Sequence, residues 1–119
     1  MLIKYNQKDL EEFKQVITAR LKIAKEQLDF YLKQIQDFAE SPESQVKGFS
    51  EGGIGTVESE RLHTMADRQK KLIQHLENAL LRIKNKTYGI CRVTGKLISK
   101  QRLLAVPHAT LSIDAKQKR

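Results

Sequence analysis

Few side chains in this 119-residue sequence are of the types that do covalent or metal chemistry, and their spacing suits neither. Cys91 is the one cysteine. Alone it makes neither an internal disulfide nor a cysteine cage for a metal. His63 and His75 are twelve residues apart in a helical stretch, roughly 18 Å along a helix axis, too far for one compact metal site. His108 stands apart beside Pro107. No Ser, Asp and His are grouped as a nucleophile with its base. The cluster Gly52-Gly53-Ile54-Gly55 lacks the Lys and Ser/Thr with which a glycine-rich loop holds phosphates. An enzyme is not expected.

Charge is the stronger clue. The formal net charge is +8, and it is unevenly placed. Residues 1–40 carry seven basic and seven acidic side chains, and residues 41–60 lean acidic through Glu43, Glu51, Glu58 and Glu60. Residues 61–86 carry seven basic side chains against Asp67 and Glu77, and residues 87–119 seven against Asp114. A basic half of this kind suits nucleic acid, a nucleotide or an acidic protein face. Apolar stretches are too short for a transmembrane span, and Met1–Asn6 shows no apolar leader. A cytoplasmic protein without a membrane partner is expected.

These residues must be positioned by helices. Ile17, Leu21, Ala24, Leu28, Tyr31, Ile35 and Phe38 recur at alternating spacings of four and three, with Leu10 in the same register. That is a heptad seam, predicting a helix over about residues 8–40. Asp9 with Glu12 resembles a capping box, and Asn6 is an alternative cap. Pro42 ends the helix. A second seam runs through Leu62, Met65, Gln69, Leu72, Leu76, Ala79 and Ile83. Its helix is expected to start between Thr56 and Ser59, with Gly89 as the latest end. Two seams joined by a glycine-bearing segment predict a mainly α fold, a long antiparallel coiled-coil hairpin over 1–86 with a tip loop at 41–56. Residues 87–119 read as a small globular end: an apolar knot bent at Pro107, with a short final helix from Ser112.

The second half resembles the DksA/TraR family of bacterial RNA polymerase-binding transcription regulators. The resemblance rests on Asp67-Arg-Gln-Lys-Lys-Leu-Ile73, Leu76-Glu-Asn-Ala-Leu80, Tyr88-Gly-Ile-Cys91, Gly95-Lys-Leu-Ile98, Arg102-Leu103, Pro107-His-Ala109 and Leu111-Ser-Ile-Asp-Ala-Lys116. It implies a regulator that binds RNA polymerase core enzyme and inserts its coiled coil into the secondary channel to modulate initiation. The four zinc-ligand positions of the family's finger fall on Cys91, Thr94, Ser112 and Ala115, so 87–119 is read as a degenerate zinc-finger-like end and zinc is not expected. Cys91 then serves as a buried small hydrophobe. Acidic tip residues are expected at Glu51 and Glu43, and polymerase docking at Arg68 and Lys116. The family's positions for guanosine tetraphosphate fall on His75, Val106 and Lys116, of which only Lys116 is permanently charged, so alarmone binding does not carry over with the resemblance.

Two other readings compete. The basic C-terminal half could bind DNA directly through Lys96, Lys100, Arg102, Lys116, Lys118 and Arg119, although no aromatic residues interleave with them. Alternatively, the chain is a structural coiled-coil dimer.

Overall fold

The computed structural model describes residues 4–40 and 54–117. Helix α1 spans Gln7–Glu40, α2 Ile54–Lys84, α3 Lys100–Ala105 and α4 Ile113–Gln117. An isolated antiparallel bridge joins Ile90 to Leu97. Two compact units result, one of Met1–Leu21 with Gln74–Arg119 and one of Lys22–Ile73.

The helix ends show which local signals prevailed. Asn6 caps α1, its Oδ1 accepting from Asp9 N–H at 2.8 Å, so the alternative cap is used. The α1 helix runs to Glu40, and the expected stop at Pro42 lies outside the described residues. Helix α2 begins at Ile54, two residues before the Thr56–Ser59 window, so residues 54–56 of the expected tip segment are helical. A glycine such as Gly55 costs little in a first turn, where few intrahelical bonds depend on it. At its other end α2 stops well before Gly89. Thr87 N–H donates to Arg82 C=O and Lys86 N–H to Ile83 C=O, and Lys86 takes φ 62°. This is the Schellman arrangement, with a lysine where glycine is usual.

In the unit of Lys22–Ile73, Ala24, Leu62 and Ala66 are buried, while Leu28, Tyr31, Ile35, Phe38, Met65 and Leu72 are half-buried. Two helices alone leave the flanks of their seam open. Arg61 and Glu58 pair across one helical turn at 2.8 Å, a fully exposed contact of small consequence.

The other unit holds the better core. Leu10, Phe13 and Ile17 of α1 and Leu76 and Ala79 of α2 meet Tyr88, Cys91, Ile98, Leu103, Pro107 and Leu111, all buried. Phe13 lies 5.1 Å from Tyr5, edge-on, and 5.2 Å from Tyr88. Tyr5 donates its hydroxyl to Ile98 C=O, and Tyr88 donates to Pro107 C=O at 2.6 Å. Gly89 permits this closure, since its φ is 83° and a Cβ there would stand 2.6 Å from the Tyr5 ring. Arg20 of α1 donates to the C=O groups of Leu104 and Ala105 at 3.0 and 3.1 Å, closing the free end of α3.

The seam residues are therefore unequal. Leu76, fully buried, should lose about 2–5 kcal/mol on replacement by Ala, and half-buried Leu28 only about 1–2 kcal/mol. Urea titration of the two variants checks this; equal losses would contradict the burial pattern.

Candidate functional site

The second half of the chain converges on an open cavity of about 260 Å³ within the unit of Met1–Leu21 and Gln74–Arg119. Helix α2 supplies His75, Asn78 and Arg82, spaced so that one helical face carries all three. Helix α3 supplies Arg102, the loop after it Val106 and His108, and α4 supplies Lys116. The supports for these groups are explicit. Ser99 caps α3, accepting from Arg102 N–H at 3.2 Å, and Arg102 Nε donates to Leu111 C=O at 2.8 Å. Arg82 reaches His108 C=O at 3.4 Å. His108 stacks on His75 with ring centroids 5.5 Å apart and planes 10° from parallel.

The electrostatics are one-sided. Lys116, Arg82 and Arg102 bring permanent charge to the cavity, and no carboxylate lines it among the described residues. Partial burial lowers the Arg82 pKa from its ordinary value, although an arginine stays charged. His108 is held below the usual imidazole range by burial first, then by His75, Arg82 and Arg20. Its Nδ1 is buried without a hydrogen-bond partner among the described residues. Such a cavity can receive an anionic group through several N–H donors at once.

The three positions that the resemblance connects with the alarmone, His75, Val106 and Lys116, do meet in this cavity. Sequence reasoning counted one permanent cation there and missed Arg82, Arg102 and His108. The signal for Arg82 was present, seven residues after His75 on one helical face. Arg102 and His108 are brought in by tertiary packing and had no local signal.

The four finger positions also come together. Cys91 is buried, and Ser112 N–H donates to its Sγ at 3.3 Å. Ser112 Oγ accepts from Ala115 N–H at 3.2 Å as the cap of α4, and Ala115 is buried. Burial pushes the Cys91 thiol up, but the Thr94 hydroxyl and the N–H groups of Ser112, Thr94 and Val93 outweigh it, bringing the pKa down to about 6. Arg68 is exposed on α2, and among the described residues its guanidinium meets only Met65 Sδ, at 3.9 Å. Lys116 is exposed on α4. Glu51 and Glu43 lie outside the described residues.

A family model, the prokaryotic dksA/traR C4-type zinc finger, matches residues 86–119. An RNA polymerase-binding transcription factor DksA of Caulobacter vibrioides is 44% identical over 52 residues, covering 44% of this chain and 37% of that protein. The DksA of Salmonella typhimurium is 28% identical over 111 residues, 93% of this chain and 71% of that one. Residues 86–119 thus match the DksA/TraR finger, and over most of its length the chain is similar to DksA proteins. Transcription factor DksA2 from Pseudomonas aeruginosa shares the fold, with a TM-score of 0.82, 24% identity, and coverage of 95% of this chain and 84% of that one. The helical hairpin with a finger-like C-terminal end is thus a fold shared with DksA2. The match to the Caulobacter relative spans little more than a third of that protein's length. No described helix is long and apolar enough to cross a membrane.

The match over residues 86–119 corrects one expectation. The expected absence of zinc is overturned by the match to a C4-type zinc finger, since that family points to zinc binding. The donor set is a separate matter. One thiol poised toward the thiolate, the metal-binding form, is present. Thr94, Ser112 and Ala115 do not complete a four-cysteine site. Among the described residues no three His, Cys, Asp or Glu side chains gather for a metal.

The His108 environment has a pH consequence. Its folded-state pKa lies below the unfolded value of about 6.5, so the unfolded chain binds the proton more readily. Stability from neutral His108 is present above that pH and is lost as pH falls below it toward the folded pKa. Thermal melts from pH 8 to pH 5 should show a falling midpoint, with a smaller fall for His108→Gln. An equal fall in the variant would exclude His108 as the cause.

Proposed function

We propose that this protein is a transcription regulator that binds bacterial RNA polymerase core enzyme and acts by inserting its helical hairpin into the secondary channel. The observation that carries the reading is the 44% identity over 52 residues to a protein named as an RNA polymerase-binding transcription factor. Arg68 supports it, being an exposed guanidinium whose donors are free of carboxylates among the described residues. Such a group is suited to a charge-assisted hydrogen bond on a partner. Lys116 presents a second cation from α4.

In this proposal Arg68 of α2 and Lys116 of α4 each dock on polymerase, and the segment 41–56 reaches the catalytic centre. The acids Glu51 and Glu43 act there on the open complex. The protein itself catalyses nothing. Guanosine tetraphosphate is left out of the proposal, because Val106 and His75 bring no permanent charge to two of its three positions. Direct DNA binding is the competing outcome of the tests.

Arg68→Ala should weaken core-polymerase binding by about tenfold, the equivalent of one charge-assisted hydrogen bond. Glu51→Ala should leave binding nearly unchanged while altering promoter open-complex lifetime. Competition binding and a promoter-complex decay assay read the two separately. Wild-type protein that neither binds core enzyme nor alters initiation would end the regulator reading. Gel retardation of duplex DNA with steep salt dependence would favour the DNA-binding one.

A further inference from the structure

A groove of about 390 Å³ opens between the start of α1 and the end of α2, lined by residues that the proposed docking does not use. Leu80 and Ile83 are half-buried in it, and Lys14, Lys84 and Lys86 stand exposed around them, with Glu11 as the one carboxylate. Among the described residues none of the three lysines pairs with an acid. They concentrate positive charge over apolar surface without a partner within the fold.

Lys86 adds an independent observation. It occupies the left-handed position of the α2 Schellman end, at φ 62°, where a glycine avoids the Cβ clash. The favourable interaction of a lysine with the helix C-terminus is already available to Arg82 and Lys84 in the last turn. Folding alone therefore favours glycine at position 86. A backbone cost retained at an exposed, chargeable position points to a use outside the folded monomer.

We infer that this groove is a second docking surface for RNA polymerase, receiving an acidic segment whose carboxylates pair with Lys14, Lys84 and Lys86 and whose apolar side chain covers Leu80 and Ile83. The inference rests on the polymerase-binding reading and names a further surface for it. Charge complementarity selects an acidic segment. A protein segment fits better than nucleic acid, because Leu80 and Ile83 offer apolar surface to a side chain and no aromatic ring lines the groove for base stacking.

The experiment compares core-polymerase binding of the wild type, Lys84→Glu/Lys86→Glu and Lys86→Gly, with thermal melts of each. The double charge reversal should weaken binding at least tenfold at low salt, with the difference shrinking as salt rises. Lys86→Gly should weaken binding about threefold while its melting temperature rises, a pair of opposite changes that damage to the fold cannot produce. If the wild type binds and both variants bind within twofold of it, the groove assignment is overturned and the regulator reading stands. If the variants lose duplex-DNA retention and keep polymerase binding, the groove is a nucleic-acid surface and the inference fails. If the wild type does not bind core enzyme at all, the regulator reading fails and takes this inference with it.

Discussion

The contact of Phe13 with Tyr5 and Tyr88 is the interaction on which the C-terminal end depends. A segment of residues 87–119 cannot bury enough apolar surface to fold by itself. Here it borrows a core from the first turns of α1 and the last turns of α2, and Phe13 is where they meet. Tyr88 then fixes the loop that follows α3 through Pro107 C=O, and Tyr5 fixes the chain before α3 through Ile98 C=O. Burial raises the Tyr88 pKa well above its ordinary value, so its hydroxyl remains a donor. The closeness of Tyr5 to the backbone at Gly89 leaves no space for a side chain there. Three of the seven aromatic residues thus order this end of the chain.

That same packing creates the cationic cavity. His108 follows Pro107, so the bond from Tyr88 that anchors Pro107 also sets His108 on His75. Arg20, Arg82 and Arg102 spend hydrogen bonds on backbone C=O groups of the C-terminal segment, which holds it against the helices. Structure and potential partner contact therefore draw on the same guanidinium groups. The finger positions show a related economy. Ser112 caps α4 while its N–H steadies the Cys91 sulfur, so the turn is ordered by hydrogen bonds around one thiol.

Much of the architecture was legible because heptad periodicity is local. Both long helices and the start of α4 after Ser112 follow from spacing and caps. Three features were not legible, for distinct physical reasons. The end of α2 was masked because Lys86 adopts a conformation that favours glycine. Unequal burial of Leu28 and Leu76 depends on what covers the seam, which periodicity does not encode. Arg102 and His108 enter the cavity through long-range contacts. The count of cysteines was read correctly, yet it was an unsafe basis for excluding zinc from a chain whose C-terminal segment matches a C4-type finger.

The proposed regulation turns on entry of the hairpin into polymerase beside its catalytic centre. Placing a photo-reactive residue at position 51 and cross-linking the complex with core enzyme tests it most directly. Cross-links confined to polymerase segments around the catalytic magnesium, lost when unlabelled protein competes, are the expected result. A complex that forms but cross-links only at a distant surface, or only to DNA, would contradict it.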